Sequence, residues 1–374
     1  MRTIAILGST GSIGCTALRV LDRQRDRFRV TALTAHSNAA LLAEQAAAWG
    51  PGFVALTAPA ASPIPGQWRT GPAALIEAAV ADDVDIVLNS VVGVAGMDAT
   101  LAALSAGKRV ALANKESLVV AGALATAACV AGGGEIVPVD SEHSAILQCV
   151  GGRGASEVRR LIITASGGPF REWTRDRMAA ATRDQALRHP TWNMGSKITV
   201  DSATLVNKAL EVIEAHYLFG VPYERIEVVV HPQSIVHSMV EFVDGSVIAQ
   251  VGVPSMELPI LYALTHPERV VDEAIPRFDP LAAAALTFEP VRLDAFPAFR
   301  LGIEAGIAGG VAPAVFNAAN EAAVRLFLEG DIPFGGIAAA IERALDTVHG
   351  AANPDRDSLM DADRQARAVV GGMW

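Results

Sequence analysis

The chain has 374 residues, of which 51% are hydrophobic and 19% charged, which excludes a disordered polymer and supplies material for more than one core. A net charge of −10 argues against a nucleic-acid backbone or an anionic membrane as the main partner. Cys15, Cys129 and Cys149 are odd in number and form no CxxC pair, so neither a disulfide framework nor a thiolate zinc site is suggested, and a reducing cytoplasm fits.

Thr3 to Leu7 reads as a short strand, followed by GSTGSIG and a helical pattern through Ala17, Leu18 and Leu21. The apolar run before the glycines is too short for a secretory signal. Strand, glycine loop and helix together place a pyrophosphate at a helix N-terminus. The spacing here is Gly8-x-x-Gly11-x-x-Gly14, however, and a plain tight turn is the alternative. Phe28 to Leu33 gives a second strand. After it, where a dinucleotide-binding unit reads the ribose, stands AHSNAA, with neither the acid that favours NAD nor a base to clamp a 2′-phosphate. His36, Ser37 and Asn38 offer hydrogen bonds, and the cofactor choice stays open at this spot.

Alternation continues with Phe53 to Leu56, a proline-rich interruption to Pro72, a helix around Ala73 to Val80, a strand at Asp85 to Leu88, a helix to Ala106 and a strand at Arg109 to Leu112. Such spacing means βαβ units and a parallel sheet. Asn114, Lys115 and Glu116 fall at the carboxyl end of that last strand, where open sheets bind ligands, or they cap the next helix. The uncharged stretch from Ser117 to Gly134 is nearer a buried helix than a membrane span. Ile136 to Val139 then delivers Asp140, Ser141 and Glu142. Two carboxylates so spaced suit a hard divalent cation, and an N-capping Asp with Glu in the first helical turn is the alternative. A third ligand would decide, and Glu211 is the candidate.

Leu161 to Thr164 is a strand ending in Ser166-Gly167-Gly168-Pro169, a loop fit to wrap a phosphate or simply to turn. From about Phe170 to Lys197 the chain is polar, carries two tryptophans and reads as a lid. In HPTWNMGSKITVDSATLVNKALE, Asp201 or Ser202 is the expected N-cap of a helix running to about His216, which puts Ser202 where backbone N–H groups favour anions. Leu205, Ala209, Val212 and Ile213 form its apolar stripe, and Asn207, Lys208 and Glu211 a neighbouring polar face; a solvated Lys–Glu pair is the alternative. Glu227 to Val230, Ile235 to Phe242 and Val247 to Val251 read as strands, the last two as a hairpin about Asp244-Gly245. Pro254 to Pro297 is proline-punctuated, as a linker is. Helix-period segments follow near Phe299 to Ala308, Ala314 to Leu328, Ile337 to Val348 and Leu359 to Val370.

GSTGSIG, NKESLV, VDSEHSAI, SGGPFR, HPTWNMGSKITVDSATLVNKALE, HPQSIVHSMVEFVDGSVIAQ and FNAANEAAV span nearly the whole chain. In that order they resemble the 1-deoxy-D-xylulose 5-phosphate reductoisomerase family. The resemblance implies an oxidoreductase that uses NADPH and a divalent cation (Mg, Mn or Co). It would rearrange and reduce 1-deoxy-D-xylulose 5-phosphate to 2-C-methyl-D-erythritol 4-phosphate, in the methylerythritol phosphate route to isoprenoids. A cytoplasmic homodimer is implied, with no nucleic-acid or membrane partner. So is an α/β architecture: an N-terminal Rossmann-like parallel-sheet domain over 1–139, a central α/β catalytic and dimerisation domain over 140–253, a linker over 254–295 and a C-terminal α-helical bundle over 296–374. NADPH is placed against Thr10, Gly11, Ser12, Ile13, Asn38, Asn114, Glu116 and Gly195. The metal falls on Asp140, Glu142 and Glu211, which with Lys115 are the implied catalytic residues. Substrate contacts are implied at Lys115, Ser141, Glu142, Ser166, His189, Trp192, Ser202, Asn207, Lys208 and Glu211. His36 and Ser37 stand where the family often has Gly and a basic residue. His231 and His237 are read as hinge or sheet residues near the lid, or as plainly structural ones. Two other readings are a metal-free dehydrogenase acting on a phosphorylated aldehyde and a nicotinamide-sensing regulator.

Overall fold

Four consecutive residues without exposed surface, Ile4 to Leu7, make β1 (Arg2–Leu7) the centre of a sheet covered on both faces, as parallel sheets are. Around it lie β2 (Phe28–Ala35), β3 (Phe53–Leu56), β4 (Arg69–Thr70), β5 (Ile86–Asn89), β6 (Arg109–Leu112) and β7 (Glu135–Pro138) in the order β4-β3-β2-β1-β5-β6-β7. Every pairing is parallel. The connecting helices are α1 (Ser12–Asp22), α2 (Ala39–Trp49), α3 (Ala73–Val80), α4 (Met97–Ser105) and α5 (Lys115–Gly132), and α6 (Ser141–Val150) follows β7. The order reverses between β1 and β5, so a crevice opens outside the carboxyl ends of those strands. The expected parallel sheet is therefore present. β4 escapes notice in the sequence because two exposed residues carry no pattern.

This computed structural model describes residues 1–59, 67–192 and 194–374, and the middle of the proline-rich interruption lies outside them. The described residues form two compact units: Met1–Leu118, Gly122–Ser144 and Ser255–Pro276 in the first, Val119–Ala121, Ala145–Pro254 and Arg277–Trp374 in the second. Among described helices only α5 is long and apolar enough to cross a membrane, but 56% of it is buried within the fold and it is kinked at Ala121, as suits a core helix.

The second unit holds β8 (Val158–Ala165), α7 (Arg175–Ala179), α8 (Arg183–Ala186), α9 (Ser196–Thr204), α10 (Val206–Phe219), β9 (Ile226–Val230), β10 (Val236–Phe242) and β11 (Val247–Val251). The expected hairpin joins β10 to β11, with Asp244 Oδ1 accepting from the Ser246 amide at 2.9 Å. Within the stretch expected to be linker, α11 (Glu257–Thr265) is a nearly fully buried helix of the first unit. Its burial on all sides erases the amphipathic period, and Pro259 is tolerated because it sits in the first turn, where an N–H has no intrahelical partner. Arg23 ties the segment down, reaching Glu257 at 2.7 Å and Asp272 at 2.9 Å. Beyond it β12 (Glu289–Pro290) completes the mixed order β11-β10-β8-β9-β12. His231 holds this return: Nδ1 donates to the Thr287 carbonyl at 2.8 Å and Nε2 accepts from the amides of Ile235 and Val236. With both nitrogens spent on backbone, its role is structural.

Helices α12 (Pro297–Ala308), α13 (Ala312–Glu329), α14 (Phe334–Thr347) and α15 (Arg356–Gly371) form the expected C-terminal bundle. Its core is continuous with α9 and α10 through Val200, Ala203, Val206 and Ala209. Gly302 of α12 permits the approach, since a Cβ there would sit 2.5 Å from the Ala209 methyl.

Candidate active site

In the first unit, the glycine loop lies at the carboxyl end of β1. Gly8 has φ +83°, and a Cβ on Gly14 would lie 2.4 Å from the Gly8 carbonyl oxygen, so only glycine lets the loop fold onto the start of α1. Ser9 is buried and donates to Gln45, while Gly11 and Ser12 are exposed and Thr10 and Ile13 partly so. Helix α1 has no side-chain cap and no acid in its first turn, which leaves its N-terminal amides for an anion. Asn38 caps α2 by accepting from the Leu41 amide. The Asn114 carboxamide is buried and spent on the Val91 and Gly93 carbonyls, Glu116 and Ser117, so its side chain shapes the loop rather than facing a ligand.

The carboxyl end of β7 presents the acidic pair of this unit. Asp140 Oδ2 lies 2.6 Å from Lys115 Nζ, and Ser141 Oγ donates to Glu142 Oε2 at 2.6 Å. Lys115, at the start of α5, is 8% exposed, so this ion pair is held mostly away from solvent.

The second unit supplies an anion cradle. Strand β8 ends at Ala165, just before Ser166, and Gly168, at φ +64°, lies against α9 so closely that a Cβ would meet the Ser202 carbonyl oxygen at 2.5 Å. That contact brings the Ser166 loop to Ser202. Ser166 Oγ accepts from the Gly168 amide at 3.3 Å and faces His189 Nε2 at 3.0 Å. His189 Nδ1 accepts from the amides of Thr191 and Trp192, so the ring proton sits on Nε2 and is donated to Ser166. Burial lowers the His189 pKa from 6.5 to about 4, which keeps the ring neutral. Trp192 lies over His237, with ring centroids 6.5 Å apart.

The helix expected to start at Asp201 or Ser202 is instead two helices. Gly195 is the N-cap of α9, which ends at Leu205, a non-glycine residue at φ +59°; α10 begins at Val206. Neither Asp201 nor Ser202 is a cap, and the expectation that Ser202 marks a helix N-terminus is corrected. Packing of Val200 and Ala203 in the core extends α9 backwards through β-branched residues of weak helix propensity. The N-terminus that does favour an anion belongs to α10, which carries Asn207 and Lys208 in its first turn and no acid there. Asn207 Nδ2 donates to Glu211 Oε1 at 2.5 Å, and Lys208 Nζ lies 2.6 Å from Glu211 Oε2. Lys208 is 5% exposed and Glu211 0%, which disposes of the solvated-face alternative. A buried ion pair seldom repays the desolvation of its two charges, so its presence calls for a reason other than stability.

The expected lid also divides. Phe170 is 1% exposed and packs on Trp173 and Phe334, and Met178 and Ala186 join the same core. Arg292 donates to the Trp173 carbonyl at 2.8 Å and fastens this part further. Leu187 still packs on this core and Lys197 pairs with the buried Asp201, whereas Trp192, between them, is not part of the core. The Arg292 contact lay outside any sequence pattern.

Comparisons with known proteins show what the chain is similar to. A family model described as 1-deoxy-D-xylulose 5-phosphate reductoisomerase covers residues 4–122, and models for C-terminal domains of that enzyme cover 136–219 and 251–369. The chain is 51% identical over 376 residues to the 1-deoxy-D-xylulose 5-phosphate reductoisomerase of Symbiobacterium thermophilum, covering 97% of this chain and 96% of that one. With its counterpart from Pelotomaculum thermopropionicum it is 49% identical over 379 residues, covering 98% and 97%. Among solved structures, the Zymomonas mobilis enzyme in complex with NADPH aligns at a TM-score of 0.91 and 42% identity, covering 100% of this chain and 98% of the other. A DOX-P reductoisomerase in complex with NADPH, fosmidomycin and magnesium aligns at 0.93 and 36%, with the same coverage.

Proposed function

The chain belongs to the 1-deoxy-D-xylulose 5-phosphate reductoisomerase family, and from that premise we propose which of its residues hold each reactant. The activity is the NADPH- and divalent-cation-dependent rearrangement and reduction of 1-deoxy-D-xylulose 5-phosphate to 2-C-methyl-D-erythritol 4-phosphate, a step towards isoprenoid precursors. The observation that carries the assignment is the buried Lys208–Glu211 pair with the half-buried Asn207 in the first turns of α10, beside the loop-to-helix contact of Gly168 with Ser202.

Ser166, Ser202, Asn207 and Lys208 are assigned to the substrate phosphate. A charge of −10 on the whole chain makes such a local concentration of cation and donors necessary for an anionic substrate. His189 keeps the Ser166 hydroxyl in place through its Nε2 proton, and Trp192 beside it shields the site from water. Asp140, Glu142 and Glu211 are assigned to the cation: all are oxygen donors, as a hard ion requires, and their charge is countered in part by Lys115 and Lys208. When bound, the cation polarises the ketone and orients the neighbouring hydroxyl for the carbon–carbon rearrangement, and NADPH supplies the hydride. Lys115 and Ser141 stand with the carboxylates as substrate contacts.

NADPH is assigned to Thr10, Gly11, Ser12 and Ile13 at the uncapped start of α1, with Asn38, Glu116 and Gly195, and with Asn114 contributing through its backbone. Along the chain, residues 1–139 bind cofactor, 140–253 carry catalysis and dimerisation, 254–295 lead to the bundle after contributing α11 to the first unit, and 296–374 form the bundle. A homodimer is part of this reading. Val247, Ile248 and Val251 of the edge strand β11 are exposed, apolar side chains on both faces of a free edge suited to a second copy. So is a cytoplasmic setting, which the three free cysteines suit. Consumption of NADPH on adding 1-deoxy-D-xylulose 5-phosphate, abolished by a chelator and restored by Mg²⁺, is the expected result. Turnover that survives exhaustive chelation would return the metal-free dehydrogenase to first place.

A further inference from the structure

Asp201 is 1% exposed, set among Val200, Ala203 and Val206 in the core of the second unit. Oδ1 accepts from Asn320 Nδ2 of α13 at 2.8 Å, and Oδ2 lies 2.8 Å from Lys197 Nζ, one turn earlier on α9. Asn320 is itself 0% exposed, and its carboxamide oxygen has no hydrogen-bond partner among the described residues. Two apolar side chains of similar size would fill this space without desolvating a carboxylate or leaving a buried acceptor unpaired. What a carboxylate and a carboxamide add is direction. A hydrogen bond fixes the rotation and axial register of one helix on another, whereas apolar contacts tolerate a slide.

The place of this contact gives it a use. Asp201 directly precedes Ser202, and Lys197 stands two residues after Gly195, where the loop carrying His189 and Trp192 enters α9. Leu205, three residues after Ser202, holds the left-handed turn that aims Asn207 and Lys208. A slide of α9 along α13 would therefore carry Ser202 away from the Ser166–Gly168 loop and alter the turn into α10 together. We propose that Lys197, Asp201 and Asn320 are positioning residues for substrate phosphate, locking α9 to the C-terminal bundle so that Ser202 and the start of α10 meet the anion in one geometry. The bundle, which contributes no assigned contact to any reactant, thereby acts on substrate affinity.

The inference rests on the assignment of Ser202 to the phosphate, so Ser202→Ala is measured in parallel. Asn320→Leu should raise KM for 1-deoxy-D-xylulose 5-phosphate about tenfold while kcat stays within about threefold, as loss of one charge-assisted hydrogen bond predicts. NADPH affinity should not change. The double variant Asp201→Asn with Asn320→Asp exchanges donor and acceptor and should recover most of the KM, which a role in packing alone does not foresee. If Asn320→Leu lowers the melting temperature but leaves KM unaltered while Ser202→Ala raises it, the positioning role is overturned and the phosphate assignment stands. If Ser202→Ala also leaves KM unaltered, the phosphate assignment itself fails. Lys197→Met, at the more open end of the contact, carries the same KM expectation should Asn320→Leu not fold, and an unchanged KM there would equally overturn the proposal.

Discussion

Glu211 shares its carboxylate between Lys208 and Asn207 inside a helix buried on nearly every face, which makes it the most informative single residue to change. Glu211→Gln keeps shape and one acceptor but removes the charge a cation needs. It should fold, bind NADPH normally, lose metal affinity by tenfold or more, about the scale for altered metal sites, and lose most turnover. Calorimetry with Mg²⁺ and single-turnover kinetics check this; wild-type metal affinity would remove Glu211 from the ligand set. Lys208→Ala should differ in kind, raising KM and destabilising the fold by about 3–5 kcal/mol, because it strands a buried carboxylate. His189 supplies a pH dependence. Its native form takes up a proton only near pH 4, because charging the buried ring is costly, while the solvated ring of the unfolded chain does so near its ordinary 6.5. The unfolded state therefore binds more protons between those values. Stability is unaffected above about 6.5 and falls as the pH drops from there towards 4. In the native protein, nitrogen NMR of labelled histidine should show a neutral Nε2–H tautomer at pH 7, and an Nδ1–H signal would refute the hydrogen bond to Ser166.

Elements that depend on close approach separate folding from binding. A Cβ at Gly11 would meet the Gly8 oxygen at 3.3 Å, a tight but yielding contact, whereas at Gly14 it would meet backbone at 2.4 Å. Gly11→Val should therefore fold and fail to bind NADPH, while Gly14→Ala should cost about 1–3 kcal/mol of stability as well. Fluorescence titration beside thermal melts distinguishes the two, and normal NADPH binding by the valine variant would sink the loop assignment. The lid prediction narrows for a similar reason. Phe170, Met178 and Ala186 are core residues, so hydrogen exchange should slow on binding substrate and NADPH chiefly within 187–197 and hardly within 170–186. Equal protection with and without ligands in 187–197 would refute closure there.

For the whole molecule, the exposed apolar edge strand β11 predicts self-association, and Ile248→Lys should shift light-scattering mass from dimer towards monomer. A mass unaffected by that change would place any dimer contact elsewhere. Much of the architecture was legible because local rules and global fold agree: strands alternating with helical patterns announced a parallel sheet, and the seven motifs in order the family. Asp140, Glu142 and Glu211, the proposed cation ligands, stand out in the sequence by residue type. Packing alone settled the rest. It extended α9 back to Ser196, against the propensity of Ile198, Thr199 and Val200, and forced Leu205 into a left-handed turn that no residue type signals. It hid α11 in a stretch that reads as linker, by burying that helix on all sides. Above all it carried Asn320 from 119 residues downstream to Asp201. Propensity and periodicity report on neighbours within a turn or two, whereas these features arise from contacts between segments that only the folded chain brings together.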